Sequence, residues 1–179
     1  LKPLPCYNES AKTTERGHNM NTLPGRKDDY NVYYRYTFDV DGCECYIVEP
    51  KNPREGKQWV WKAEFFSAFP SFELKMLEKG FYVAFITVGN TFGAPSALKH
   101  WDAFYKEMTG KLGFNKHAVL LGLSRGGLYV YNWAAKNTDK VACIYADNAV
   151  CDFKSWPGGK GKGPGSPGDW KELLKTYGF

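Results

Sequence analysis

The sequence predicts an α/β fold, with a mostly parallel sheet, an antiparallel hairpin at its N-terminal end and helices on both faces. Three features favour it. A segment of alternating apolar and polar residues comes first, strand-like and helix-like segments then alternate, and one later strand is apolar on both faces. The 179 residues, 43% of them hydrophobic, suffice for one buried core. We expect an irregular arm over residues 1–29 and one domain of about six strands over residues 30–179.

The first two strands are predicted to form the hairpin. Apolar and polar residues alternate from Tyr33 to Val40, which is typical of a half-buried strand. Asp41-Gly42 is a favourable turn sequence and leads into a second strand over residues 43–48. The polar segment before Tyr33 contains several proline and glycine residues and shows no sustained period, so we assign it to the arm.

Strands and helices then alternate. A third strand is expected over residues 58–63, and a helix over residues 72–79 that ends at Gly80. Residues 81–88 are almost entirely apolar, as a strand covered on both faces must be. Ser96 is expected to cap the next helix. The remaining elements are a strand at 118–123, a helix at 126–136, a strand at 141–146 and a final helix that opens at Ser166-Pro167.

Charge and hydropathy exclude some classes of partner. The formal net charge is +5, and the 24 basic residues are scattered among 19 acidic ones, so we expect no nucleic-acid partner. No apolar run reaches the roughly 18 to 20 residues that span a bilayer, so we expect a soluble protein without a membrane partner. The sequence does not fix its location, and we favour an extracytoplasmic one over the cytoplasm.

The five cysteines are an odd number, so at least one has no partner within the chain. Cys43 and Cys45 lie two apart on a predicted strand and point to the same face, which is a poor geometry for a mutual disulfide. We expect the cysteines to be small buried side chains, with one disulfide to the arm as the alternative. The sequence lacks regular ligand spacing, so we expect no metal and no cofactor.

The segment Gly122-Leu123-Ser124-Arg125-Gly126 fits the pattern G-x-S-x-G between a predicted strand and a predicted helix. Such a chain reversal would hold Ser124 above the sheet as a catalytic nucleophile, with Gly122 and Gly126 where side chains would collide. The backbone N–H of Arg125, at the start of the helix, would stabilise an oxyanion. The alternative is a structural turn that happens to contain serine. A phosphate-binding loop is excluded, because Pro164 follows residues 158–163 where that motif requires lysine.

Three segments carry a resemblance to a known superfamily: residues 59–66 (WVWKAEFF), 122–135 (GLSRGGLYVYNWAA) and 151–160 (CDFKSWPGGK). With them the chain resembles the α/β-hydrolases, and more narrowly bacterial esterases and hydrolases of unassigned substrate. The resemblance implies a second oxyanion N–H from the loop after the third strand, and we choose that of Glu64. The Arg125 side chain would either reach the pocket or pair with a nearby acid.

The resemblance also implies an acid and a histidine after the serine, in that order. No histidine follows Ser124 in this sequence. His117 would lie roughly 20 Å away at the other end of the strand, which leaves His100 as the only reachable one. Asp147 and Asp152 are candidates for the acid, and loop capping is their alternative role.

A loop rich in glycine and proline follows the last predicted strand. We expect four of its side chains to form a mobile rim that favours acidic or sugar-bearing esters, because lysine attracts anions and tryptophan offers a face to a sugar ring. A solvated linker is the alternative. The four residues are Lys154, Trp156, Lys160 and Lys162.

The sequence therefore predicts a serine hydrolase that acts on carboxylic esters, which the resemblance suggests are linked to carbohydrate. Peptidase or thioesterase chemistry stays open, and a non-catalytic binding or interaction module is the alternative from another class. The chain has fewer strands than the family's sheet and no histidine after Ser124, so we expect a C-terminally truncated hydrolase that is inactive alone without the missing histidine and acid. Its open edge strand at residues 141–146 would be covered by self-association or by a C-terminal fragment.

Overall fold

A computed structural model describes residues 22–179. Its strands are β1 (Arg26–Tyr30), β2 (Tyr33–Val40), β3 (Cys43–Glu49), β4 (Trp59–Lys62), β5 (Tyr82–Ile86), β6 (Ala118–Leu123) and β7 (Val141–Asp147). Its α-helices are α1 (Ser71–Glu78), α2 (Pro95–Lys106), α3 (Gly126–Ala134) and α4 (Pro167–Tyr177). A π-helical turn, Glu107–Lys111, follows α2, and a 3-10 turn, Thr138–Lys140, precedes β7.

The strands form one sheet in the order β1-β2-β3-β5-β4-β6-β7. The pairs β1–β2, β2–β3 and β3–β5 are antiparallel, because tight turns join the first three strands and the third meets β5 in the opposite direction. The pairs β5–β4, β4–β6 and β6–β7 are parallel and use helical crossovers. The predicted fold class is confirmed, with an antiparallel part that is larger than the expected hairpin.

The predicted arm over residues 1–29 is wrong in its last part, because Arg26–Tyr30 forms the edge strand β1. This brings the strands of the described chain to seven, where about six were expected. The segment is polar and mostly exposed, so it has no hydrophobic alternation that could reveal it. Arg35 of β2 holds it through two bonds to the Asp28 carboxylate, at 3.0 and 2.7 Å. Residues 1–21 of the predicted arm lie outside the described residues.

Alternation along β4 separates the two faces of the sheet. Trp59 and Trp61 are fully buried on the face covered by α2 and α3, where Trp61 stacks on Trp101 with ring centroids 4.2 Å apart. Val60 and Lys62 lie on the opposite face, which α1 covers with Leu77. Helices therefore cover both faces, and β4 lies at the centre of the parallel part. Its C-terminal end opens beside that of β6, because the two strands are parallel neighbours.

Two local predictions are wrong. Ser96 does not cap α2, since Pro95 is already the first helical residue and Ala94 precedes it. Cys143 and Cys151 are exposed thiols, and only Cys45 is buried among the four cysteines that the structure describes. Cys143 is exposed because β7 has a strand on one side only and most of its side chains face solvent. The covering of this edge by a second chain stays a prediction. None of the described helices combines the length and apolar character of a membrane span.

Candidate functional site

Ser124 occupies the turn between β6 and α3, and its side chain is exposed. Its φ of +50° lies in the left-handed region, which costs a residue with a side chain about 1 kcal/mol or more. Backbone hydrogen bonds hold this conformation. The Ser124 amide donates to Asp147 O at 3.0 Å, and the Ser124 carbonyl accepts from Gly127 N at 3.0 Å and Val150 N at 2.8 Å. The hydroxyl makes no hydrogen bond within the described residues, so it is available to a ligand.

Two glycines make this turn possible. A Cβ on Gly122 would lie 2.7 Å from the Val130 side chain, and one on Gly127 would lie 2.5 Å from Val150 O. The sequence argument named Gly126 in place of Gly127, and this is wrong. A Cβ on Gly126 would meet its nearest neighbour, Ala63 Cβ, at 3.4 Å, which is an ordinary contact. The double glycine after Arg125 was the available signal.

The loop between β4 and α1 lies against the start of α3. Ala63 N donates to Leu121 O of β6 at 3.0 Å, which extends the strand pairing by one residue. Phe65 then adopts a φ of +55°, so the chain turns away from the sheet at Glu64. The Glu64 amide lies 3.7 Å from the Cβ position of Gly126. Within residues 22–179 neither the Glu64 nor the Arg125 amide is hydrogen-bonded, and both lie beside the Ser124 turn.

The side chains of Glu64 and Arg125 form an ion pair across this junction, with 3.4 Å between Nη2 and Oε2. The guanidinium carbon lies 5.1 Å from the Phe65 ring centroid and 6.0 Å from that of Phe92. Arg125 Nε is buried without a partner in the described chain. Of the two roles left open for the Arg125 side chain, it therefore pairs with an acid, and it also borders a cavity.

Burial raises the pKa of the Glu64 carboxyl, and the charge of Arg125 opposes that shift without cancelling it. Burial raises the pKa of Tyr129 to about 12, and the nearby Glu64 charge adds to the shift. Tyr129 also fixes the loop after β5, because its hydroxyl donates to Gly89 O at 3.1 Å and accepts from Thr91 N at 3.0 Å. A buried polar network therefore joins α3 to both loops that border the cavity.

The cavity has a volume of about 240 Å³ and lies between the β4–α1 and β5–α2 loops. Ala63 and Glu64 line one side, and Arg125 closes the end next to Ser124. The opposite side is formed by the end of β5 and the residues after it, which are Phe85, Ile86, Thr87, Val88, Gly89 and Asn90. A larger cleft of about 740 Å³ lies near the β1–β2 turn and Pro50. It contains none of the predicted site residues.

A second ion pair lies beneath the same loop, and sequence reasoning missed it. Lys62 and Glu73 side chains are 1% and 2% exposed and contact each other directly. Lys62 Nζ also donates to Ala68 O at 2.8 Å. The pair thus ties the end of β4 to the loop and to the first turn of α1. A lysine inside the apolar run WVWKA was the signal that could have found it.

Neither histidine of the described chain reaches Ser124. His100 Nδ1 is 2.8 Å from Asp41 Oδ2, at the β2–β3 turn. This turn is three strand spacings, about 14 Å, from the end of β6. His117 precedes β6, at the opposite edge of the sheet. His18 lies outside the described residues. No cluster that could hold a metal ion occurs in residues 22–179.

The two candidate acids follow or end β7 and are exposed. Asp147 supports the Ser124 turn through its backbone carbonyl, and its carboxylate accepts from the Asn148 amide at 3.3 Å. Asp152 accepts from Lys154 N at 2.9 Å, while its carbonyl accepts from Ser155 Oγ at 2.7 Å. Asp152 therefore stabilises a turn, which is the alternative role that the sequence allowed.

The structure separates the four predicted rim residues into two groups. Trp156 is half-buried, and its ring lies 6.3 Å from that of Phe92, in a small apolar cluster with Leu128 and Leu173. The three lysines, Lys154, Lys160 and Lys162, are exposed. Backbone bonds such as Lys160 N to Lys154 O, at 2.9 Å, close the loop on itself. The loop reaches the site through Phe92, which also lies under Arg125.

No protein-family model matches the chain, and no curated protein matches its sequence. Solved structures do match its fold. Cfl2 from Burkholderia cenocepacia has a TM-score of 0.51 at 12% identity, over 68% of this chain and 44% of Cfl2. A cold-adapted esterase from an Arctic intertidal metagenomic library has a TM-score of 0.51 at 12% identity, over 69% of this chain and 64% of the esterase. Each match thus covers less than two thirds of the other protein.

These likenesses concern the fold and not the chemistry, because the identity is low. The described chain has a mixed sheet with β5 and β4 in crossed order and helices on both faces, and this architecture is what superposes on the solved structures. It also places a strand-to-helix turn at the C-terminal edge of a central parallel strand. The chain has the α/β-hydrolase fold.

Proposed function

We propose that this chain carries the nucleophile and the oxyanion-binding groups of a serine hydrolase that acts on carboxylic esters. One observation supports this most directly: Ser124 is held in the left-handed region, exposed, with its hydroxyl free of partners in the described chain. A strained conformation of this kind persists only where surrounding contacts impose it, and such residues cluster at active sites.

In the proposed reaction, Ser124 Oγ attacks the ester carbonyl carbon and gives its proton to a base. The carbonyl oxygen becomes an oxyanion, which accepts hydrogen bonds from the Arg125 and Glu64 backbone amides. The bond to the alcohol then breaks, the alcohol leaves with a proton, and water hydrolyses the acyl-enzyme. Asp147 and Asp152 remain the candidates for the acid. The base is neither His100 nor His117.

The finer parts of the proposal concern the substrate. The earlier resemblance favours an ester linked to carbohydrate, and the position of the 151–160 loop beside Phe92 supports a contact with the alcohol or acyl group. Lys154, Lys160 and Lys162 would then act on the encounter with substrate, because they lie outside the cavity lining. Replacing all three lysines with glutamine should lower the turnover of a uronate ester relative to a neutral one. A ratio of uronate-ester to neutral-ester turnover that this change leaves unaltered would contradict the role of the rim.

The nucleophile is tested with an aryl acetate and added imidazole, which supplies an external base. We expect an acetyl adduct on the peptide that contains Ser124, formed faster as imidazole increases. Ser124→Ala should abolish it. Ser96→Ala, which changes another exposed serine on α2, and His100→Ala should leave it unchanged. The measurement is intact mass followed by peptide mapping.

An adduct that persists in Ser124→Ala would contradict the proposed nucleophile. A non-catalytic binding module is the second candidate, and the lack of a nearby histidine among the described residues favours it. That candidate predicts ligand binding but no adduct on Ser124 at any imidazole concentration.

A further inference from the structure

The cavity beside the Ser124 turn combines hydrogen-bond donors and acceptors on facing walls. Glu64 offers carboxylate oxygens, and Arg125 offers a guanidinium that is 23% exposed and donates only to Glu64 within the described chain. Thr87 and Asn90 stand on the opposite wall, and both are exposed. The Asn90 side-chain amide makes no hydrogen bond within residues 22–179. Each of these last two side chains can donate and accept.

The net charge of the lining selects the class of ligand. Glu64 and Arg125 are its charged members, and their formal charges cancel. An anionic ligand must approach the buried Glu64 carboxylate, and a cationic ligand must approach Arg125. A purely apolar group would remove water from the ion pair without replacing its hydrogen bonds. A neutral ligand with neighbouring hydroxyls avoids all three costs, because one hydroxyl accepts from Arg125 while the next donates to Glu64.

The size and the walls restrict the ligand further. The volume of about 240 Å³ corresponds to about eight water molecules at their share of liquid volume, and so to one substituted six-membered ring. Ile86, Val88 and Ala63 supply apolar wall on which the C–H groups of such a ring can pack.

We propose that this cavity is a subsite for one neutral ring with adjacent hydroxyl groups, such as a pyranoside, which forms part of the ester substrate. That this ring forms part of the ester substrate rests on the proposed function. The cavity lies next to the proposed nucleophile, because Arg125 follows Ser124 directly in the chain. Binding of the ring does not need an active nucleophile, and this allows the two proposals to be tested separately.

The test uses the 179-residue chain and three probes: methyl β-D-glucopyranoside, methyl β-D-xylopyranoside and the corresponding glucuronide. Binding is followed by saturation-transfer and chemical-shift NMR. We expect both neutral glycosides to bind at the cavity, and the glucuronide to bind at least about tenfold more weakly than its neutral counterpart. Absence of neutral glycoside binding at 100 mM, or preferential binding of the glucuronide, would overturn the proposal.

Variants locate the site. Glu64→Gln removes the negative charge but keeps an acceptor, so it should raise glucuronide affinity and reduce the discrimination between the glucoside and the glucuronide. Asn90→Ala changes an exposed loop residue and should weaken the neutral glycosides by about threefold to tenfold. Glu78→Gln is the matched control, since Glu78 is an exposed carboxylate of α1 that pairs with Lys75 outside the cavity. Unchanged discrimination in Glu64→Gln, with the fold intact, would contradict the proposal.

The outcomes separate the two proposals. Glycoside binding without an acetyl adduct on Ser124 would retain the subsite and reject the nucleophile. An adduct without glycoside binding would retain the nucleophile and reject the subsite. Ser124→Ala should bind the neutral glycosides as the unmodified chain does, because its hydroxyl is not part of the cavity lining.

Discussion

The two ion pairs that flank the β4–α1 loop differ in nearly every respect. Lys62 and Glu73 are almost completely buried, are in direct contact, and share a further bond to Ala68 O. Glu64 and Arg125 are 3.4 Å apart, are 12% and 23% exposed, and leave Arg125 Nε without a partner in the described chain. The first pair is closed to solvent, whereas the second keeps a partly exposed guanidinium and carboxylate that a ligand can reach.

The difference follows from where the residues lie. Alternation along β4 directs Lys62 to the face that α1 covers, so its ammonium group must find its partners inside the protein. Glu64 comes two residues later, beyond the end of the strand, where the loop borders a cavity. The Lys62–Glu73 pair therefore fixes the β4–α1 loop on the side of α1, while the other side of the loop borders the cavity. An oxyanion-binding amide needs both conditions, because it must keep its position while it has no internal partner.

The largest effect is expected when the buried Lys62–Glu73 pair is broken. Lys62→Met leaves the Glu73 charge buried and uncompensated, so it should lower the free energy of unfolding by about 3 to 5 kcal/mol. The measurement is urea unfolding at neutral pH. The double variant Lys62→Met, Glu73→Leu removes both charges and should recover most of this loss.

The double variant also distinguishes a positioning role from a purely structural one. If the pair fixes the loop, amide hydrogen exchange at residues 64–69 stays faster than in the unmodified chain after stability has recovered, because Ala68 O has lost its donor. Exchange that returns to the original rates would show that the pair contributes only to stability.

A smaller effect on the free energy of unfolding is expected from the Glu64–Arg125 pair, and it depends on pH. Burial raises the pKa of Glu64 above its ordinary value of 4.5, so the folded state retains this proton to higher pH than the unfolded state does. Below pH 4.5 both states are protonated at this group. Stability should then fall as pH rises from 4.5 through the raised pKa, and stay level above it.

Glu64→Gln should remove this slope. The difference between the unfolding free energies of the two proteins, measured from pH 3 to 8, isolates Glu64 from carboxyls such as Asp28, whose pKa is lowered by Arg35 and whose slope is opposite. A pH-independent difference would show that the Glu64 carboxyl ionises equally in the folded and unfolded states.

Sequence reasoning located Ser124 because its turn depends on neighbours in the chain: a strand, two glycines and a helix within a few residues. It did not identify the ion pairs, since Lys62 and Glu73 are 11 residues apart and Glu64 and Arg125 are 61 apart. Their meeting depends on packing between elements. Strand β1 was missed for a different reason: an exposed edge strand needs no apolar pattern, so its sequence carries no strand signal. The exposure of Cys143 depends on β7 being an edge, which its apolar composition does not reveal.

The smallest effect on stability is expected from a comparison of Phe65 and Phe69, two phenylalanines of the β4–α1 loop. Phe65 and Phe69 both have left-handed φ values, of +55° and +50°. Replacing either with glycine relieves similar backbone strain and adds similar entropy to the unfolded chain, so these contributions cancel in the comparison. The remaining difference is in side-chain contacts. Phe65 is 36% exposed and lies under the Arg125 guanidinium, whereas Phe69 is 78% exposed.

We therefore expect Phe65→Gly to be less stable than Phe69→Gly by about 1 kcal/mol, from lost burial and a lost cation–π contact. The same two changes in an Arg125→Gln background separate these contributions, because only the cation–π part should disappear, by about 0.5 kcal/mol. A difference that does not change in that background would show that Phe65 contributes burial alone. The Phe65 ring would then not help to position the Arg125 guanidinium, which would be held by its ion pair with Glu64 and its contact with Phe92.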